Sequence, residues 1–198
     1  MRKEKVERST KETSVKVVLN LDGKGKTKIQ TGKPFFDHLL EAFAFHGMFD
    51  LEVFAESKTS AGNHHLIEDV GLTLGLALDK ALGDKKGINR FGVAIIPMDD
   101  SLVMVSLDLS GRVYFDSNLK FEYENVEGIP SQMVNHFLKS LAETGKFNLH
   151  VVEFRGVNDH HKAEATFKAL GRALKEAVKV NLNHKKIPST KGRLTEND

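Results

Sequence analysis

Asn63-His64-His65-Leu66-Ile67-Glu68 is answered 96 residues later by Asp159-His160-His161-Lys162-Ala163-Glu164, so one His-His-x-x-Glu cluster stands twice in the chain. The likeness spreads outward from the clusters. His64 to Leu82 laid on His160 to Val178 gives 8 identities in 19 positions, and Phe36 to Val53 laid on Val134 to Val151 gives 7 in 18, which makes His38 and His136 equivalents. Nearer the start of each copy, VKVVLNLDG from Val15 matches VMVSLDLSG from Val103, and Glu12 falls on Asp100. The chain is therefore two copies of one unit, about 12–83 and 90–180. Two units this long can close on each other as a pseudo-twofold pair, where a short-period solenoid would need more repeats.

Each unit reads as strands, a helix, a strand and a helix. Val15, Val17, Leu19 and Leu21 alternate as a half-buried strand, and Asp22-Gly23-Lys24-Gly25 is a turn that should fold Lys26 to Thr31 back as a hairpin partner. Pro34 opens a helix carrying Leu39, Leu40, Phe43 and Ala44 at helical spacing until Gly47 stops it, and Phe49 to Val53 alternates as a strand. Asn63 should cap a second helix with Leu72, Leu76 and Leu82 on one face, ending at Gly83. The second unit predicts strands near 91–96, 102–109 and 113–123, a helix over 130–144, a strand over 147–154 and a helix over 160–179. Only the turn from Gly83 to Gly87 separates the units, so the fold class is α+β, with duplicated βαβ-type half-domains packed as two layers in one domain.

Composition narrows the chemistry. A chain of 198 residues with 40% hydrophobic residues can bury a core. The formal charge of +2 gives no field that would steer it onto nucleic acid, apart from the basic stretch Asn183 to Arg193. Without cysteine, a metal must be held by imidazole and carboxylate. The N-terminus is charged with no apolar core after it, and no apolar run approaches the ~20 residues that span a bilayer, so a soluble cytoplasmic protein with no membrane partner is expected.

In a helix, i and i+4 lie over one another, so His64 with Glu68 and His160 with Glu164 each offer a nitrogen and an oxygen to one point. His65 and His161 project about 100° away and reach more easily toward a second ion. With His38 and His136 there are six histidines and two glutamates, which divide into two sites of three His and one Glu. Octahedral metals such as Mn²⁺ accept that mixed set and leave positions open. A single His-His at a helix start is most often a cap or a solvated pair; two matched copies with Glu at the same offset favour metal. Lys168 lies one turn beyond Glu164 on the same face, where the other copy has Leu72, so the two surroundings differ. Arg90, Arg112 and the loop Pro188-Ser189-Thr190-Lys191-Gly192 add donors of the phosphate-binding type.

F-D-H-L-L at Phe36, F-H-G at Phe45, N-H-H-L-I-E-D-V-G at Asn63, R-F-G at Arg90, I-P-M-D-D-S-L at Ile96, G-V-N-D-H-H-K-A-E-A-T-F-K-A at Gly156 and P-S-T-K-G at Pro188 together resemble the imidazoleglycerol-phosphate dehydratase family. The resemblance implies a hydro-lyase of histidine biosynthesis that converts imidazole glycerol phosphate into imidazole acetol phosphate and water. It implies manganese, two ions per subunit. It also implies a fold shared with GHMP kinases and a ribosomal protein domain, and a large homo-oligomer, a hollow cubic 24-mer with active sites between subunits. Carried over residue by residue, the metal ligands are His38, His64, His65, Glu68, His136, His160, His161 and Glu164. Glu12 and His46 fall on positions near the reacting carbons and complete, with Glu68 and Glu164, the catalytic set; Glu12 is the first choice for acid/base work. Arg90, Arg112, Lys168, Ser189 and Lys191 fall on phosphate-binding positions, the last two in a substrate-binding tail over 181–198. Ala42, Leu66 and Asn63 depart from a usual glutamine, threonine and aspartate.

Two other classes compete. A di-metal phosphate-ester hydrolase would use the same ions and cations but favours bridging carboxylates. An RNA-binding module would leave the histidines unexplained; metal storage is the weaker variant of the metal-binding reading. Repeat-related helices are expected to lie too far apart to share an ion, which favours sites built between neighbouring subunits. His150 and His184 read as surface residues.

Overall fold

The duplicated pattern folds into two copies of one half-domain in the computed structural model, which describes residues 2–59, 64–181 and 186–194. The first half comprises β1 (Lys3–Ser9), β2 (Thr13–Asn20), β3 (Thr27–Gln30), α1 (Pro34–Gly47), β4 (Asp50–Ser57) and α2 (His64–Leu82). The second comprises β5 (Phe91–Met98), β6 (Ser101–Asp108), β7 (Tyr114–Ser117), the small hairpin of β8 (Asn125–Val126) and β9 (Ile129–Pro130), α3 (Gln132–Gly145), β10 (Asn148–Arg155) and α4 (Asp159–Val178). Sheet orders β1-β2-β4-β3 and β5-β6-β10-β7 are the same order in repeat terms. Each half is a sheet covered by helices, and the halves meet helix to helix, α1 on α4 and α2 on α3.

Alternation places the core as expected. Val15, Val17 and Leu19 of β2 are buried while their neighbours face out, and Val103, Val105 and Leu107 repeat this on β6. Each such side chain contributes about 1.5–3 kcal/mol by leaving water. Phe36, Phe137 and Phe167 fill the space where the halves join, with Phe137 edge-on to the first ring and stacked on the second.

Three expectations change. Lys26 to Thr31 does not fold back on β2: β3 pairs parallel with β4, since one edge of β2 is taken by β1 and the other by β4. The Asp50 carboxylate accepts the N–H groups of Lys24 and Lys26, drawing the turn across to the start of β4. The charged N-terminus is itself a strand, β1, an edge strand whose Lys and Glu face solvent. The strand expected over 113–123 stops at Ser117, because beyond Asn118, whose N–H still reaches Val151 O, N–H groups go to side chains: Leu119 to Ser117 Oγ, and Glu122 and Tyr123 to the buried Asp159 carboxylate. Asn63, expected as a cap, and His184 lie outside the described residues.

Gly47 and Gly145 are the last residues of α1 and α3, and the left-handed turn falls on the next residue, Met48 (φ 56°) and Lys146 (φ 53°). The glycines serve proximity. A Cβ on Gly171 would lie 2.3 Å from Phe43 O and 3.0 Å from Gly47 N; one on Gly75 would lie 2.4 Å from Leu141 O and 2.8 Å from Gly145 N. Glycine thus sets both helix crossings at equivalent places, which fixes how closely donors on the two helices approach.

Candidate active site

The crossings assemble two three-donor groups. His38 on α1 meets His160 and Glu164 on α4, and His136 on α3 meets His64 and Glu68 on α2; in each group the donor atoms lie within 4.8 Å of one another. Each group takes two donors from one repeat and the third from the other; the helices that meet come from different repeats, while the repeat-related pairs, α1 with α3 and α2 with α4, bring no group together among the described residues. His160 Nε2 lies 3.2 Å from Glu164 Oε2 and His38 Nε2 lies 3.5 Å from Glu164 Oε1. In the other group His64 Nε2 is 3.9 Å and His136 Nε2 is 3.4 Å from the Glu68 carboxylate.

The donors fit a divalent cation. His136 Nε2 is buried and makes no hydrogen bond although a carboxylate oxygen is 3.4 Å away, the relation expected of two ligands that face one ion. Imidazole with carboxylate suits Mn²⁺ or a similar metal, and three donors leave coordination positions open. Among the described residues the two groups share no carboxylate, unlike the bridged arrangement expected of a di-metal hydrolase.

His65 and His161 turn away from these groups, as their position on the helix requires. Their rings are edge-on to His64 and His160 at centroid distances of 5.5 and 6.0 Å. His65 Nδ1 lies 3.4 Å from Glu12 Oε2, and His161 Nδ1 lies 2.5 Å from Asp100 Oδ1. Glu12 and Asp100 are repeat equivalents. The His161 hydrogen bond, with the backbone N–H groups of Asn158 and Val157, holds the Asp100 carboxyl well below its ordinary range. Asp99, at φ 47° and exposed, approaches His161 Nε2 at 3.4 Å, and Glu127, in the turn between β8 and β9, approaches His160 Nδ1 at 3.7 Å. Sequence reasoning named none of Asp99, Asp100 and Glu127 as site residues. The alignment of Asp100 with Glu12 was a signal for one of them; Glu127 lies in an insertion that the first repeat lacks.

Around the α4 group an open recess of about 360 Å³ is lined by His38, Ala42, His46, Glu164 and Lys168, among others. Lys168 Nζ lies 2.8 Å from Glu164 Oε1. Burial raises the Glu164 pKa, but the Lys168 hydrogen bond and charge, with His38, outweigh it and hold the carboxylate ionised. Partial burial, then the charges of Lys168 and Arg172, lower the His46 pKa and favour the neutral ring. Ala42 leaves the recess without the amide that a glutamine would bring, and Leu66 is buried in the core.

The remaining expected residues gather elsewhere. Arg90 makes paired contacts of 2.6 and 2.9 Å to Asp108 and donates to Pro188 O at 2.9 Å, which anchors the segment carrying Ser189 and Lys191. Leu109 N donates to Arg90 O, and Arg112 follows in the same connection at the end of β6. Asp100 and His161 stand at the other end of that eight-residue strand, roughly 23 Å away at ~3.3 Å per residue.

A duplicated α+β fold with two reciprocal His/Glu groups that could hold metal, one of them beside a lysine-bearing recess, has the features of an enzyme class with paired candidate metal sites. The family model for imidazoleglycerol-phosphate dehydratase matches residues 31–174. The imidazoleglycerol-phosphate dehydratase of Methanothermobacter thermautotrophicus is 51% identical over 194 residues, 98% of either chain, and that of Geobacillus kaustophilus is 48% identical over 189 residues, 96% of this chain and 97% of the other. The crystal structure of the Pyrococcus furiosus enzyme, solved in complex with (S)-C348, superposes with a TM-score of 0.82 at 38% identity, covering 96% of this chain and all of that one. The Staphylococcus aureus enzyme gives a TM-score of 0.82 at 32% identity over 90% of this chain and 99% of its own. The chain belongs to the imidazoleglycerol-phosphate dehydratase family and is a hydro-lyase.

Proposed function

We propose that this chain dehydrates imidazole glycerol phosphate to imidazole acetol phosphate in the cytoplasm, using two Mn²⁺ per subunit at sites shared between subunits of a large homo-oligomer, a 24-mer. The observation that carries the reading is the pair of reciprocal His/Glu groups, one of them beside Lys168 and His46. His38, His160 and Glu164 would hold one ion and His64, Glu68 and His136 the other, with His65 and His161 reaching toward a neighbouring subunit's group. Bound there, Mn²⁺ supplies Lewis-acid polarisation to an azole nitrogen and a hydroxyl.

The chain's own residues supply the rest. The hydroxyl on the ring-attached carbon and a proton on the next carbon must leave as water, giving an enol that tautomerises to the ketone. Neutral His46 is able to accept a proton or a hydrogen bond, while Lys168 brings a cation to an oxygen of the substrate. Glu12 is half exposed and stands 3.4 Å from His65 Nδ1, beside a proposed ligand, where a carboxylate can serve in acid/base work. Arg90, Arg112, Ser189 and Lys191 are phosphate-type donors, but roughly a strand's length separates them from the α4 group. A small substrate cannot bridge that distance within one chain, which supports sites completed by a neighbour. Further support comes from the outer face of the second sheet, where Phe91, Val93, Ile95 and Phe154 are all more than half exposed.

Elemental analysis joined to size-exclusion chromatography tests the reading. Two Mn per chain in a large particle are expected, and chelation should shrink that particle. A chain that turns over imidazole glycerol phosphate without bound metal, or as a monomer, would refute it.

A further inference from the structure

Asp100 and Glu12 occupy one position of the repeat and face one atom, Nδ1 of the second histidine in each His-His pair, but they are held differently. Asp100 Oδ2 accepts the N–H of Val157 at 2.5 Å and of Asn158 at 2.8 Å, which leaves Oδ1 for His161 Nδ1 at 2.5 Å. The Asn158 side chain in turn accepts the N–H groups of His160 and His161 as the cap of α4. The loop before it is pressed against the start of β6, since a Cβ on Gly156 would lie 2.8 Å from Ser101 Oγ and 2.6 Å from Lys162 Cγ. Loop, cap and ring thus converge on one carboxylate. Glu12 has one more methylene and stands 3.4 Å from His65 Nδ1, which makes no hydrogen bond among the described residues.

We propose that Asp100 is a positioning residue: its hydrogen bond fixes His161 with Nδ1 protonated and leaves Nε2 as the lone-pair nitrogen that binds a cation, a hold that Glu12, 3.4 Å from His65 Nδ1, does not exert. The inference rests on His161 being a metal ligand, as proposed above. A carboxylate behind a ligating imidazole sets its tautomer and orientation, and loss of such a partner typically costs 10–100-fold in metal affinity.

Asp100→Asn separates positioning from scaffolding. Its amide oxygen still accepts both backbone N–H groups, but its NH₂ presents a donor to His161 Nδ1 and stabilises the opposite tautomer, with the proton on Nε2. Mn²⁺ titration followed by the EPR signal of the free ion should show one of the two ions weakened on the order of 10–100-fold in Asp100→Asn. Glu12→Gln should retain both ions and lose turnover. Solid-state ¹⁵N spectra of metal-free, histidine-labelled protein in mildly alkaline buffer should move the His161 proton from Nδ1 to Nε2 in Asp100→Asn, the resonance being assigned by its loss in His161→Gln.

Unchanged affinity for both ions and an unmoved ring proton would overturn the proposal. So would an equal loss of metal in Glu12→Gln. If the wild-type chain takes up no Mn²⁺, the metal reading fails by itself, and the ring spectra still decide whether Asp100 sets the tautomer.

Discussion

The α4 group and the α2 group are built from equivalent positions, yet one turn beyond the donors they part company. Beside Glu164 stand Lys168 and His46; at the corresponding places beside Glu68 stand Leu72 and Thr144, and the Thr144 hydroxyl simply donates to Leu72 O at 2.7 Å. A pair able to handle charge in one half is a packing contact in the other. Glycine at the helix crossings holds the donors in both halves, so the donor geometry is tied to the fold. The next turn outward is under no such constraint, and there the copies have diverged.

The largest expected effect removes a donor from either group. Glu164→Ala and Glu68→Ala should each take metal content from two ions toward one and lower turnover by a factor on the order of 10³, comparable to losing a principal electrostatic contact in a transition state. If one group were idle, its variant would keep full turnover, which a steady-state assay with elemental analysis would reveal. Lys168→Met is the sharper probe of the difference. It removes a charged contact of about 1.5–3 kcal/mol, so kcat/KM should fall roughly 10–100-fold, while the α4 group, relieved of a competing cation, binds Mn²⁺ more tightly. Leu72→Lys should weaken Mn²⁺ at the α2 group without adding activity; a gain in kcat/KM there would break the comparison.

The halves also differ in how their helices are braced. Asp159 and Lys162 form a buried pair at 2.7 Å, with Lys162 donating to Lys120 O, whereas Asp69 of the first half binds the half-exposed Arg8 at 2.8 Å and the Thr13 hydroxyl. Asp159→Asn should cost about 3–5 kcal/mol in urea unfolding because it strands a buried cation. Asp69→Asn should cost less, about 1–3 kcal/mol. The Asp159 pKa is lowered: burial opposes this, but Lys162 and the N–H groups of Tyr123 and Glu122 prevail. A depressed carboxylate adds stability that is complete above its unfolded pKa and is lost as pH falls through its lower folded value. Acid unfolding should therefore set in below about pH 4, and Asp159→Asn should flatten that limb. Last and smallest, Lys16→Ala on the polar outer face of the first sheet should change stability by no more than ~0.5 kcal/mol.

Much of this was legible in the chain. The His-His-x-x-Glu duplication led to the six histidines and two glutamates, because ligands demand fixed residue types at fixed helical offsets. It did not show which helices cross, since the glycines that set the crossings look in sequence like helix stops. β1 was missed because an edge strand needs few apolar residues, and the parallel partner of β3 because that pairing depends on the Asp50 carboxylate across the sheet. Asp100 was quoted in a motif and aligned with Glu12, but its grip on His161 depends on a loop from another strand and could only be seen in three dimensions.

The reciprocal lending of donors makes the chain behave as an isologous dimer whose partners have been fused. Neither half owns a complete three-donor group, so each bound ion would staple one half to the other. A chain severed in the Gly83–Gly87 turn should give two fragments that bind metal poorly apart and regain both groups when mixed. Loading with metal would then tighten the junction between the halves as well as equip the site, so the ions would stabilise the protein to the extent that they bind only the joined form.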